Sequence, residues 1–429
     1  MTRNRLGVLL AMIVPAAAVA QDAALDCQVA SPRYRGSLYS TMMTLEGAFR
    51  VTLALGDGLD AVTLAGTVTE PSGTEGDAKV LPGAMDGTYH LPFILRQYEP
   101  GPLVLRARAL DGDRVVATAS ATVNVMPRAP HEVTLSDAGA LLVQGVPVFP
   151  IGYAGAVPQR AGALPDASFG LLLAEDEMGL SPQRIWDPRV LAVVTAPQDG
   201  ERLAANAASG AIGAWLATDE RDYASLMQAD PYHPVIARTY QDETEGDVVL
   251  MALDAEDPAS SIADLARAMG EDALGRPHWA LLPSPQAATG ERLAALAVGC
   301  AVAGGRGVVF RSGGLTPPGL TEALDGAPHR LSALAPLLLA PYAPRATTVD
   351  EDGVIAAIKR LDFDDYLIVA NLTDAATTVT CRGLGPEDAV DLMTGQAVAS
   401  AEGGVLRVPM APWATRALIL KERDEVPNG

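Results

Sequence analysis

Cysteine is scarce in this 429-residue sequence, which holds only Cys27, Cys300 and Cys381. Three is an odd number for a disulfide framework, and the spacing fits no metal motif. Cys300 falls in an apolar helical pattern and reads as a small buried hydrophobe; a Cys27–Cys381 bridge is the one pairing an exported chain would leave open. Basic residues are also short: 31 Lys and Arg face 52 Asp and Glu, for a net charge of −21 and a pI near 4.6. Such a field repels phosphate backbones and anionic membranes, so no nucleic-acid partner is expected, a locally basic cleft being the alternative. The acidity itself needs no function and reads equally as a solvated surface. There is no Gly-x-Ser-x-Gly elbow, phosphate-binding glycine loop, zinc motif or EF-hand loop. No cofactor and no metal is therefore expected.

Long apolar runs are absent beyond the first twenty residues, and the run there is short and broken by Pro15. Arg3 and Arg5 precede Leu6–Val14, and Ala18-Val19-Ala20 offers a small-x-small cleavage site before Gln21. Residues 1–20 thus read as a signal peptide, giving a periplasmic or secreted protein with no membrane span after cleavage.

What is present is alternation of two kinds. Residues 21–40 look loosely structured. From Thr44 short β-type runs follow: Phe49–Leu55, Ala61–Leu64, Leu103–Ala107, Val115–Thr118 and Ala121–Val125, with Asp111-Gly112 as a hairpin turn. They predict an Ig-like N-terminal β-sandwich over 21–130, closed by the linker Pro127-Arg-Ala-Pro130. A hairpin turning at Gln144-Gly145 then leads into eight short apolar runs between Val148 and Phe310. They are Val148–Ala154, Phe169–Ala174, Val190–Ala196, Ala211–Ala217, Pro234–Tyr240, Val248–Leu253, His278–Leu282 and Gly307–Phe310. Helical patterns lie near 199–208, 222–227, 257–269 and 291–302, and again at 331–339. Eight such repeats predict a parallel sheet closed into a (β/α)8 barrel over 131–342. The stretch is well short of the usual ~250 residues, so an irregular barrel is expected. Six further short strands predict a C-terminal β-sandwich over 343–422, with a charged tail at 423–429. The fold class is thus multidomain: a central irregular barrel flanked by two antiparallel β-sandwiches.

In a barrel, polar residues just past the strand ends gather at one mouth. Glu175, Asp176 and Glu177 follow the second run, Asp219 and Glu220 the fourth, Asp242 and Glu243 the fifth, and Asp254 ends the sixth. Tyr153 and Tyr240 end the first and fifth; Trp215 and Trp279 lie within the fourth and seventh. Carboxylates with aromatic platforms suit an oligo- or polysaccharide, with acid and base groups from the former and stacking from the latter. Glu220 is the candidate general acid; the alternative is that it or Asp219 caps the next helix. Asp254 and Glu177 are candidates for the second carboxylate. The alternatives are a role for Asp254 at the start of the 257–258 helix, and for Glu177 as plain loop surface. Arg311 could bind a substrate carboxylate or neutralise nearby acids. His233 and His278 fall at strand starts and read as structural.

Several stretches resemble clan A-like glycoside hydrolases. Leu141–Tyr153 resembles the hairpin that enters their first strand. Ala214-Trp-Leu-Ala-Thr-Asp-Glu220 is similar to their fourth strand, where the Glu is the acid/base, and this role carries over to Glu220 beside Asp219. Asp230-Pro-Tyr-His-Pro-Val235, Asp247–Asp254 and Ala297–Phe310 are similar to their lead-in to strand five, strand six, and last helix and strand. The resemblance covers about residues 130–420. It implies a substrate-lined mouth and a retaining glycosidase with a nucleophile after strand seven. This chain departs there: Leu281-Leu-Pro-Ser-Pro-Gln286 offers Gln286, which can hold a sugar or water, but no carboxylate. Arg221 replaces the family's strand-four proline, and Ala255-Glu256 its Tyr-Pro after strand six. Either the second carboxylate comes from another strand, or the protein binds glycans without cutting them.

Overall fold

The computed structural model describes residues 23–42, 46–55, 62–76, 79–80, 88–94, 98–154, 170–173, 190–195, 200–208, 210, 212–217, 220–238, 245–254, 257–272, 274–282, 289–311, 331 and 333–423. The chain forms two compact units: residues up to 38 with 44–126, and residues 39–43 with 127–429.

Among the described residues, the first unit holds two β-sheets. One joins Ala23–Ser31, Glu46–Leu55 and Thr88–Ile94; the other runs Ser37–Leu38, Arg114–Val125, Gly101–Asp111, Thr63–Thr69, Lys79–Val80. Phe49, Val51, Leu103, Leu105 and Val123 fill the core. The turn at Asp111-Gly112 forms as expected, with Gly112 at φ 60°. Two expectations are corrected. Residues 23–31 are a strand, not loose chain: Leu25, Cys27 and Val29 alternate onto the core with Asp26 and Gln28 between them, a period-two signal only five residues long and flanked by alanines. The runs at 115–118 and 121–125 are one continuous strand, because Ala119 and Ser120 keep the pairing with Gly101–Asp111.

The second unit begins with the hairpin Leu141–Val143/Val146–Val148, its turn at Gln144-Gly145 with both φ angles positive. Eight parallel strands follow: β1 (Ile151–Ala154), β2 (Gly170–Leu173), β3 (Val190–Thr195), β4 (Ile212–Leu216), β5 (Val235–Arg238), β6 (Val248–Ala252), β7 (His278–Leu282) and β8 (Gly307–Arg311). Each pairs with the next, and β8 pairs with β1, closing the barrel. Strands covered on both faces must be apolar throughout, which is why these short runs stood out in the sequence.

Among the described residues, four connections carry helices: α1 (Gly200–Ala207), α2 (Glu220–Ala229), α3 (Pro258–Glu271) and α4 (Gly290–Val302). Asp257 caps α3 by accepting from Ser260 N at 3.1 Å, with Pro258 in the first turn. Thr289 caps α4 through Arg292 N. Ile262 and Leu265 of α3, and Leu293, Leu296 and Cys300 of α4, pack on Ala280, Leu282, Val308 and Phe310. Each such buried leucine stabilises the layer by roughly 1.5–3 kcal/mol. Residues 333–339 are helical, near the expected stretch.

Residues 39–41 fold onto the barrel's lead-in. Glu132, wholly buried, accepts from Thr41 N at 3.1 Å, from Ser40 Oγ at 3.2 Å and from the Thr41 hydroxyl. Tyr39 OH donates to Pro231 O at 2.7 Å. Gly145 must be glycine here, since a Cβ would collide with the Thr41 carbonyl.

A second sandwich completes the unit. Its three-stranded sheet is Thr348–Val349, Thr377–Arg382 and Val405–Met410. Its five-stranded sheet is β9 (Val354–Leu361), β10 (Asp364–Asn371), Thr415–Glu422, Glu387–Asp391 and Ala397–Ser400. The six expected strands are present, joined by the short pieces at 348–349 and 397–400. Cys27, Cys300 and Cys381 are all buried and free, so the Cys27–Cys381 bridge does not form.

Candidate functional site

The site is built at the carboxyl ends of the barrel strands. On β6, Met251 and the following Leu253 pack into the layer beneath α3 and α4. Alternation therefore turns Leu250, Ala252 and Asp254 toward the barrel axis. The ladder continues past the strand, since Leu253 N donates to Leu281 O at 3.0 Å. On β8, Val308 and Phe310 pack outward, leaving Val309 and Arg311 on the inner side. Ala252, Leu281 and Val309 are register partners across β6, β7 and β8. Asp254 and Arg311 each lie two residues beyond that row. Both are exposed, whereas Leu281 and Val309 below them are buried.

The main chain of Asp254 is fixed: its N–H donates to Ser261 Oγ of α3 at 2.9 Å. The helix cap is Asp257, so Asp254 does not serve that purpose. A rim with a carboxylate at β6 and a guanidinium at β8 can accept a proton, stabilise a developing cation, and hold an anionic or hydroxyl-rich ligand. Among the described residues, no group of three His, Cys, Asp or Glu side chains could hold a metal ion.

The other predicted residues divide into two groups. Glu220 is the first residue of α2, four positions after β4 ends, and its side chain lies outside the described residues. Tyr153 is in β1 with its side chain likewise outside them. Glu177, Asp219, Tyr240 and Gln286, together with Glu175, Asp176, Asp242 and Glu243, fall wholly outside them.

The two tryptophans, by contrast, do not line the mouth; each is 0% exposed. Between β3 and β4 the register slips, pairing Ala192 with Ile212 but Val193 with Ala214, so Gly213 is an extra residue. That bulge turns Trp215 outward, among Leu203 of α1, Leu226 of α2 and Val235. Trp279 faces the barrel interior at the amino end of β7, level with Leu250 and Gly307. Its ring lies flat against Gly307, where a Cβ would stand 2.9 Å from ring carbons. Both rings are core, buried because an indole contributes more apolar area to packing than any other side chain.

Sequence reasoning missed a buried polar cluster below β4 and β5. Asp230 Oδ2 accepts from Trp215 Nε1 at 2.8 Å and meets His233 Nδ1 at 2.7 Å, while Oδ1 accepts from Tyr232 N at 3.0 Å. Burial pushes the Asp230 carboxyl up, but the His233 hydrogen bond and charge, with the bonds from Trp215 and Tyr232, outweigh it and hold it below the ordinary carboxylate value. Asp247 nearby accepts from Val235 N at 2.8 Å and from Tyr223 OH at 3.1 Å. The Asp-Pro-Tyr-His-Pro spacing was its only sequence signal. His278 is buried at the start of β7, its Nδ1 3.0 Å from Arg276 O, and burial lowers its pKa. Both histidines sit at the amino face of the barrel, where they stabilise rather than catalyse.

No protein-family model matches the chain, and no characterised protein matches it by sequence. Solved structures match weakly. The α-amylase of Geobacillus thermoleovorans, solved with acarbose, aligns over 52% of this chain and 64% of its own, at 9% identity and a TM-score of 0.38. This chain thus spans less than two thirds of that enzyme. A GH30 endoxylanase from Clostridium papyrosolvens C71 aligns over 64% of this chain and 96% of its own, at 12% identity and a TM-score of 0.40. A β-glucuronidase from Parabacteroides merdae aligns over 93% and 75%, at 8% identity and a TM-score of 0.33. Likeness at this level assigns no chemistry, which must come from the residues themselves.

Proposed function

We propose that this chain is an exported glycoside hydrolase-like protein whose substrate, an oligo- or polysaccharide, lies across the carboxyl mouth of the barrel. The observation that carries this reading is Asp254: an exposed carboxylate on fixed main chain, on the inner side of the rim, with the neighbouring helix cap already supplied by Asp257. Glu220, entering α2 just past β4, is the general acid. It donates its proton to the glycosidic oxygen as the bond to the anomeric carbon breaks. Asp254 or Glu177 either attacks that carbon or takes the proton of the water that does. A separation of about 5–5.5 Å between the two carboxyls would give retention, and about 6.5–9.5 Å inversion. Tyr153, Asp219, Tyr240, Gln286 and Arg311 would contact the sugar from neighbouring strand ends. Removal of residues 1–20 would release the protein to the periplasm or medium.

The second reading, a glycan-binding protein that does not cut, is favoured by the lack of a carboxylate in 281–286. A binding and hydrolysis screen across glycans, run on the protein and on Glu220→Gln, separates the two. The hydrolase reading expects cleavage that Glu220→Gln abolishes while affinity persists. Cleavage that survives the substitution overturns the acid role, and binding without cleavage supports the second reading.

A further inference from the structure

Only three of the 31 basic residues are lysines, Lys79, Lys359 and Lys421. One of them, Lys359 on β9, is completely buried. On this strand Ile358 packs into the core of the C-terminal sandwich, while Ile355, Ala357 and Leu361 pack against the layer that contains α4. Lys359 shares the parity of the second set, so its side chain enters the seam between barrel and sandwich. Its Nζ lies 3.7 Å from the centroid of the Tyr342 ring and has no hydrogen-bond partner among the described residues.

The surroundings are tightly tied. Tyr342 OH donates to Val302 O, at the end of α4, at 2.7 Å. It reaches there past Gly304, where a Cβ would meet the hydroxyl at 3.3 Å. Ala343 N donates to Ile358 O and Arg360 N to Pro341 O, each at 2.9 Å, so residues 341–343 are laced to β9. Among the described residues, the charged and titratable groups facing the amine are Arg306, Tyr342 and Tyr366. The turn before β8 contributes Arg306, whose guanidinium donates to Leu339 O; segment 341–343 contributes Tyr342; β10 contributes Tyr366, the register partner of Lys359. The last two turns of α4, Ala295–Val302, carry no charged side chain. Arg360 next door is engaged with Asp365.

We propose that Lys359 makes the barrel–sandwich seam a pH-responsive joint, tight while the amine is neutral and opening more readily once it is protonated. A buried ammonium without an acceptor loses more in desolvation than its contact with the Tyr342 ring returns. The neutral amine therefore prevails near neutrality, consistent with burial, reinforced by Arg306, pushing the group down to about 7. An arginine cannot do this, because it stays charged when buried. The unfolded chain, with an ordinary lysine at 10.5, binds more protons than the folded one between pH 7 and 10.5. The seam therefore tightens as pH rises through that window, and below it the full cost of the buried charge is present.

The test compares the full chain with Lys359→Met by amide exchange at Ala343 and Arg360, taking their ratio at each pH so that intrinsic exchange chemistry cancels. The opening constant of the natural protein relative to the variant should fall about tenfold per pH unit between pH 7.5 and 9.5. A ratio that does not change with pH overturns the proposal. Should the variant not fold, the side-chain signal of Lys359 in the natural protein suffices: titration near 7 supports the joint, and titration near 10.5 sinks it.

Discussion

Gly307 lies so close to the face of Trp279 that any side chain there would press on the indole: an added Cβ would be 2.9 Å from Cγ and Cδ1 and 3.0 Å from Cδ2. Two neighbouring strands, β7 and β8, are thus held together inside the barrel by a large ring resting on bare backbone. Gly307→Ala should destabilise the protein by about 1–3 kcal/mol through overpacking. Chemical denaturation would read this as a lower midpoint with unchanged slope; an unchanged midpoint would mean the ring has room to move.

Asp254 and Asp257 are three residues apart with different work to do. Asp257→Ala should cost about 1 kcal/mol of stability, the loss of a helix cap, and leave glycan turnover intact. Asp254→Asn should leave the melting temperature nearly unchanged and lower turnover by about 100-fold or more. Should the two effects be exchanged, Asp254 is a structural residue and the reading of the mouth is wrong.

Removing the acceptor shared by Trp215 and His233 should be costly. Asp230→Ala takes the shared buried acceptor from the indole N–H and from His233 Nδ1, for a loss of about 3 kcal/mol measured by denaturation at neutral pH.

The same carboxyl has a pH signature. Its folded pKa lies below the ordinary value of 3.8, so the unfolded chain takes up the proton first. The stability it contributes is complete above that ordinary value and is lost as pH falls through the lower folded one. The gap in stability between the natural protein and Asp230→Asn should therefore be constant from pH 5 to 7 and close below pH 4. A gap that stays constant to pH 2 would mean that the carboxyl titrates alike in both states.

The barrel was legible because doubly covered strands must be apolar. Val190–Thr195, Val248–Ala252 and His278–Leu282 each announce themselves by composition. The facing of single residues was not. One extra residue at Gly213 reverses the side on which Trp215 emerges, and a lone glycine inside the apolar run Ala211–Ala217 is the only mark of the slip. Ala23–Ser31 went unread because its inward positions include only Leu25, Cys27 and Val29 as bulky groups. The rim was partly legible: Asp254 and Arg311 follow from strand ends alone, whereas the Asp230–His233–Trp215 contact joins residues whose meeting depends on how a loop returns beneath the sheet.

The clasp at Glu132 decides where this chain can be cut. A shortened protein beginning at Pro127 would keep the carboxylate but lose Ser40 and Thr41, stranding a buried anion without its donors. The barrel and its companion sandwich should be produced alone only if the five residues 39–43 travel with them, spliced ahead of Pro127 by a short linker.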